Sequence, residues 1–362
     1  MKRADESEWW YYSGHLAAGD RRFGFHLAFF HGAIDSIRLS RRLPVRFSIP
    51  DLWSAHFAVA DLSGGEFRYA QRRLPGSCAS AGAESMSPTG GRTVWLDDWS
   101  AGEEDGRLRL KARMRGARLE LDLHPLRPRV RHGHDDGRFH KTERLATVYL
   151  SHPRLGASGR LDIGGTSREV AGEVWLDHER GSSGFGEGLA GWDWFAIQFD
   201  RRGELMVYGL RDEQHRLTRH ACAVLMPGEG GYRRYGAERL RVEPLEWWRS
   251  SVTGLSYPVL WRLRLGEDEA DLRLRAHLKC CEIDARGSAG IVYWEGPADV
   301  EGTLHGHRVS GRAYIEQVAR DQGGLLGAFD FAESRIGLTG WLADEYRLRR
   351  HGRGVTVRER AG

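Results

Sequence analysis

Apolar and polar residues alternate along most of the chain. Phe23-Gly-Phe-His-Leu-Ala-Phe29, Arg118-Leu-Glu-Leu-Asp-Leu-His124, Phe195-Ala-Ile-Gln-Phe199 and Leu260-Trp-Arg-Leu-Arg-Leu265 all follow this rule. Successive side chains of a strand point to opposite faces, so each segment predicts a half-buried antiparallel strand. Short Gly- or Asp-containing joints separate the segments, such as Ala17-Ala-Gly-Asp20 and Gly266-Glu-Asp-Glu269. Helical periodicity is almost absent, apart from a possible turn or two near Trp341–Leu348. The predicted class is all-β. Two stretches read as irregular: the Ser/Gly/Ala-rich Ala70–Gly91, and the charged Arg127–Lys141, which reads as an inserted loop.

The order of segments repeats. Glu8-Trp-Trp-Tyr-Tyr12 corresponds to Gly191-Trp-Asp-Trp-Phe195, and His56–Leu62 to His220–Leu225. Asp97–Ser100 corresponds to Trp247–Ser250. Val148-Tyr-Leu-Ser151 corresponds to Val292-Tyr-Trp-Glu295, and Val170–Trp175 to Val309–Tyr314. In this pairing Trp175 falls on Tyr314 and Asp177 on Glu316. A tandem duplication of one antiparallel barrel or sandwich follows, since closure removes exposed sheet edges. The boundary is expected after Gly181, giving units of 1–181 and 182–362, joined through the glycine-rich Ser182–Gly188. The densest group of titratable and aromatic residues flanks that joint, and seams between domains favour small-molecule pockets.

Composition narrows the function classes. A net charge of +4 over 362 residues, with the arginines spread along alternating strands, argues against nucleic-acid binding. No apolar run reaches the length of about 20 residues that spans a bilayer. Met1–Glu8 has no apolar segment, so the expected compartment is cytoplasmic. Cys78, Cys222, Cys280 and Cys281 read as reduced thiols. Dinucleotide and phosphate-loop glycine patterns, a nucleophile elbow and metal-ligand spacing are all missing, His15, His26, His56 and His178 being widely spaced, so no cofactor or metal is expected. Spacing does not fix an oligomeric state.

Four residues, His178, Glu8, Asp177 and Asp193, are candidate proton-transfer groups. His178 lies between Asp177 and Glu179, which suits a proton donor; in an extended segment the two carboxylates share one face and His178 takes the other. Glu8 precedes two tryptophans and two tyrosines, a setting that suits one hydrogen bond to a substrate carbonyl. Asp193 sits between Trp192 and Trp194 and reads as a general acid or as a cap on the glycine loop. Candidate walls are Trp10, Tyr12, Trp175, Trp192, Trp194, Tyr208, Tyr293 and Trp294, with Glu295 beside them. Flat π surfaces of this kind suit a polyene or a developing cation.

The chain resembles AttH-type and carotenoid 1,2-hydratase-like proteins. The likeness is carried by Glu8-Trp-Trp-Tyr-Tyr-Ser-Gly-His-Leu16, Val94-Trp-Leu-Asp-Asp-Trp99, Gly191-Trp-Asp-Trp-Phe195, Trp247-Trp-Arg-Ser250 and Tyr293-Trp-Glu-Gly296. Asp177-His178 looks like the start of the hydratase motif Asp-His-Asn-Trp-Gly, whereas Arg180 departs from it. The resemblance implies two tandem lipocalin-like β-domains with a pocket near their interface. It also implies an apolar, unsaturated small-molecule substrate. The leading expectation is a cofactor-independent enzyme of secondary metabolism that cyclises a polyene or isoprenoid chain, as decalin-forming pericyclases of similar architecture do. The alternatives are a hydratase working by acid catalysis and a non-catalytic carrier of lipid or pigment.

Overall fold

The structure is a computed structural model. It describes residues 6–40, 43–75, 80–85, 92–104, 107–133, 137–182, 189–201, 203–228, 231–286, 288–289, 291–318, 320 and 355–358. Cys78, Trp341–Leu348 and the joint beyond Ser182 lie outside the described residues.

The predicted strands form, and their order explains the repeat. The first sheet is built from β1 (Glu6–Ala18), β2 (Arg21–Ser40), β3 (Leu43–Asp61), β4 (Glu66–Pro75), β5 (Ala81–Ser85), β6 (Arg92–Leu96), β7 (Trp99–Glu104), β8 (Arg107–Met114), β9 (Ala117–Pro125), β10 (Val130–His132), β11 (Phe139–His140), β12 (Ala146–Ile163) and β13 (Thr166–Ser182). The second is built from β14 (Leu189–Phe199), β15 (Glu204–Asp212), β16 (Cys222–Met226), β17 (Arg233–Gly236), β18 (Leu240–Arg249), β19 (Ser256–Leu265), β20 (Ala270–Ala276), β21 (Glu282–Ala285), β22 (Ile291–Leu304) and β23 (His307–Val318). A last strand, β24 (Val355–Arg358), returns to pair with β4 of the first sheet.

Neighbours in the first sheet run β4-β3-β2-β1-β13-β12-β9-β8-β7. In the second they run β17-β16-β15-β14-β23-β22-β20-β19-β18. These nine positions match one by one, while β6 and β5 extend the first sheet beyond β7 and β24 extends it beyond β4. Register agrees as well: Asp177 pairs with Tyr11 and Ser151, while Glu316 pairs with Trp194 and Glu295. One proposed block does not align, because Trp99 opens β7 whereas Trp247 and Trp248 close β18. Parts of the two stretches read as irregular are ordered. β4 and β5 occupy much of Ala70–Gly91, and β10 and β11 pair with the first half of β12. Short strands carry too few alternations to be recognised from sequence.

Each sheet curls around its own core. Trp10, Tyr12, Phe25, Phe57, Leu121 and Leu176 fill the first, and Phe195, Trp261, Leu263 and Leu274 belong to the second. The alternate residues of β1, β2, β3, β12 and β13 point the other way and pack on β14, β22 and β23. Close approach is needed there: a Cβ on Gly24 would lie 2.6 Å from the Pro297 ring. The seam is tied by Arg154, which donates to Glu204 (2.7 Å) and to the Phe199 carbonyl (2.8 Å), and by Gln198, which donates to the Pro153 carbonyl (2.8 Å).

Candidate functional site

The alternation that builds the strands also decides which side chains meet. On β13, Trp175, Asp177 and Glu179 face the seam, while Leu176 and His178 face the first core. Trp9 and Tyr11 of β1 share the seam face, opposite Glu8, Trp10 and Tyr12. From the second sheet come Trp192 and Trp194 of β14, Tyr208 of β15, Tyr293 and Glu295 of β22, and Tyr314 and Glu316 of β23.

Asp177 is the centre of this face. It is 3% exposed and accepts from Ser151 (2.5 Å), the Trp175 indole (2.7 Å) and the Tyr149 hydroxyl. Tyr149 accepts in turn from the Trp194 indole at 3.1 Å. Burial pushes the Asp177 carboxyl up and its three donors pull it down, leaving it at about 7. Glu316 also reaches about 7. Burial raises it, Trp192 donates to it and lowers it, the charge of Asp177 raises it and Lys141 lowers it. Glu295 lies well above the ordinary range through burial and the nearby Glu316, although Tyr11 donates to it. His56 bridges the hydroxyls of Tyr293 and Ser288 at 2.7 Å each, and burial lowers it to about 3, so it is neutral.

Lys141 closes one end of the seam. Its ammonium is 2.8 Å from Glu179, 4.1 Å from the Trp9 ring centre and 5.7 Å from that of Tyr208. Thr147 also donates to Glu179, at 2.5 Å. Trp9, Phe30, Lys141 and Glu316 are half-buried, which makes this the more open end. Deeper in, beside Trp175 and Tyr314, lies a cavity of about 10 Å³, the space of one water, bordered by Ser13, His15 and Gln198. Among the described residues the packing beside Trp175 leaves room there for about one water, whereas the resemblance implies a small-molecule pocket near the interface.

The expected site residues divide into three groups. Asp177, Trp175, Trp192, Trp194, Tyr208, Tyr293 and Glu295 come together at the seam. Glu8, Trp10, Tyr12 and His178 do not join them. His178 is 2.9 Å from Glu8 and stacks on Trp10, which continues through Trp53 to His31 in a column of rings on the first core. Asp193 and Trp294 face the second core. Asp193 is bound by Arg211 (3.1 Å) and Arg320 (2.8 Å), and the Trp294 indole donates to the Lys279 carbonyl. Adjacent strand residues cannot share a face, so the Asp177-His178 and Trp192-Asp193 doublets are split by the pleat.

Sequence patterning does not single out Tyr11, Tyr149 or Lys141, and it marks Glu316 only as the counterpart of Asp177. Parity with Asp177 and the repeat itself identify the first two and Glu316. Lys141 carried no such signal, because it follows a two-residue strand. Among the described residues there is no group of three or more His, Cys, Asp or Glu placed to hold a metal ion, and no helix long and apolar enough to cross a membrane.

A family model described as AttH-like matches residues 1–319. A solved Nitrosomonas europaea protein given the AttH name is 30% identical, with a TM-score of 0.74 over 88% of this chain and 94% of its own. Kievitone hydratase from Nectria haematococca is 15% identical, with a TM-score of 0.64 over 86% of this chain and 88% of its own. CghA, solved with Sch210972, is 14% identical, with a TM-score of 0.56 over 87% of this chain and 89% of its own. These last two likenesses are of fold. No curated protein sequence matches the chain.

Proposed function

The chain belongs to the AttH-like family, and on that premise we propose that it is an enzyme that protonates an apolar, unsaturated small molecule at the seam, with water completing the addition. The observation that carries this reading is Asp177: a buried carboxyl brought to about 7, held by Tyr149, Ser151 and Trp175. A group poised there is protonated often enough to give a proton and basic enough to be restored. Protonating an alkene leaves a carbocation, and the edge-to-face Trp175–Trp194 pair, with ring centres 6.2 Å apart, places π density beside Asp177 that would stabilise it. A water-sized cavity lies on the same seam, between Trp175 and Tyr314. The fold likeness to kievitone hydratase agrees with this order of readings, which places hydration ahead of cyclisation.

Cyclisation is the second reading, supported by the aromatic wall of Tyr11, Tyr149, Trp175 and Trp194 and by the fold likeness to CghA. In that case the cation or polarised alkene is captured by another double bond of the same molecule, and orientation supplies much of the acceleration. Under either reading the substrate enters at the Trp9, Phe30, Lys141 and Glu316 end.

Incubation with a panel of isoprenoid alcohols and linear polyenes in water enriched in oxygen-18 separates the outcomes. Hydration yields a product heavier by one labelled water. Cyclisation changes retention and ultraviolet absorption at constant mass. Binding without any product identifies a carrier and overturns the enzyme reading.

A further inference from the structure

We infer that Glu316 is the partner of Asp177 in a single proton-sharing pair, taking up the proton that the nucleophile sheds while Asp177 delivers one to the substrate. This rests on the acid-catalysed reading above and adds the base that the reading lacks.

Three observations converge on it. The first is placement. Duplication puts Glu316 on β23 where Asp177 stands on β13, and both face the same seam. The second is proximity. Tyr149 donates to Asp177 and accepts from the Trp194 indole, Trp194 is the cross-strand neighbour of Glu316 in the β14–β23 ladder, and Glu316 accepts from Trp192 on the same face of β14. Each carboxyl also influences its surroundings through charge, Asp177 acting on Glu316 and Glu316 on Glu295. The third is the charge count. Lys141 pairs with Glu179 and its charge also reaches Glu316, so one ammonium serves two carboxyls, and among the described residues no ion pair reaches Asp177. The His26 ring lies 3.4 Å from Glu295, but burial keeps it neutral. Buried charges without partners are costly, so a second negative charge in this seam is resisted.

The step balances. Before reaction Asp177 holds the proton and Glu316 is ionised. The Asp177 O–H bond breaks as a C–H bond forms at one alkene carbon. A water oxygen bonds to the other carbon, and the proton it loses passes to the Glu316 carboxylate. The pair ends with one proton, now on Glu316, and its return to Asp177 resets the site. One water has been added and no redox partner is used.

The test is an infrared titration in heavy water from pH 4 to 9, following the carbonyl band of protonated carboxyl groups in the wild type, Glu316→Gln and Asp177→Asn. The expected result is loss of one titrating band in each variant, with the midpoint of the remaining partner falling by about one unit or more. The shift should be equal in both directions, because linkage is reciprocal. An unchanged Asp177 midpoint in Glu316→Gln, or a Glu316 fully ionised by pH 5, overturns the pair. Near-ultraviolet circular dichroism establishes that each variant is folded, and if Glu316→Gln is not, the Asp177→Asn arm alone decides. No substrate is involved, so the pair can fail while labelled-water experiments still show hydration, and the reverse also holds.

Discussion

Two faces of the same strands carry ionisable groups, and they are built to opposite ends. Toward the first core, Glu8 meets His178 at 2.9 Å inside a column of stacked rings, so acid and base offset one another. Toward the seam, Asp177, Glu295 and Glu316 are held by neutral donors, chiefly tyrosine, serine and tryptophan. The core-facing pair was the more conspicuous in sequence, yet its chemistry is already satisfied by its neighbours. The seam face stores protons instead. Hydrogen-bond donors without full charges leave a buried carboxyl near neutrality, whereas a guanidinium or ammonium would fix it as an anion. On the second core, by contrast, Asp193 is gripped by the guanidiniums of Arg211 and Arg320.

That contrast can be broken by substitution. Asp177→Asn should lower turnover by about 10²- to 10⁴-fold, the usual contribution of a general acid, when product formation is followed by mass. Breaking the tie between the sheets should act on stability. Arg154→Met leaves the buried Glu204 with only the more distant Arg127 (3.3 Å) and should cost about 3 kcal/mol in urea unfolding. His178→Ala loses a stacking contact and one hydrogen bond, so about 1–2 kcal/mol of stability, while turnover stays within a few-fold. A hundredfold loss of turnover in folded His178→Ala would move the chemistry to the other face. The smallest effect sharpens the comparison: Trp175→Phe removes a donor that favours ionised Asp177. The Asp177 midpoint should rise by about one unit, read in the pH dependence of turnover.

Much of this was legible in the chain. Period-two patterning gave the strands and the repeat gave the matched sheet orders, because both depend on local alternation. Parity also held the faces: Asp177 and Glu179 on one side, His178 on the other. What it could not give is which side is the seam, since both faces of β13 carry aromatic and charged residues and both are buried. Trp10 and Trp175 look equivalent as residues, and only packing against the second sheet separates them. Lys141 was hidden for another reason. It is delivered by the fold of a charged connection whose strands, β10 and β11, are three and two residues long.

The central claim is that Asp177 holds its proton in the folded protein up to neutrality, and folding stability measures this without a substrate. A carboxyl raised from 3.8 to about 7 contributes stability below its unfolded value and loses it as pH rises through the folded value. The neutral histidines His15, His56 and His132, lowered to about 3 by burial, act in the opposite sense, so the useful quantity is a difference between variants. We predict that the unfolding free energy of Asp177→Asn minus that of the wild type grows by about 4 kcal/mol between pH 4 and pH 8, from a shift of roughly three units. A difference that stays constant across that range, or shrinks, would mean that Asp177 is an ordinary buried anion and would contradict the account.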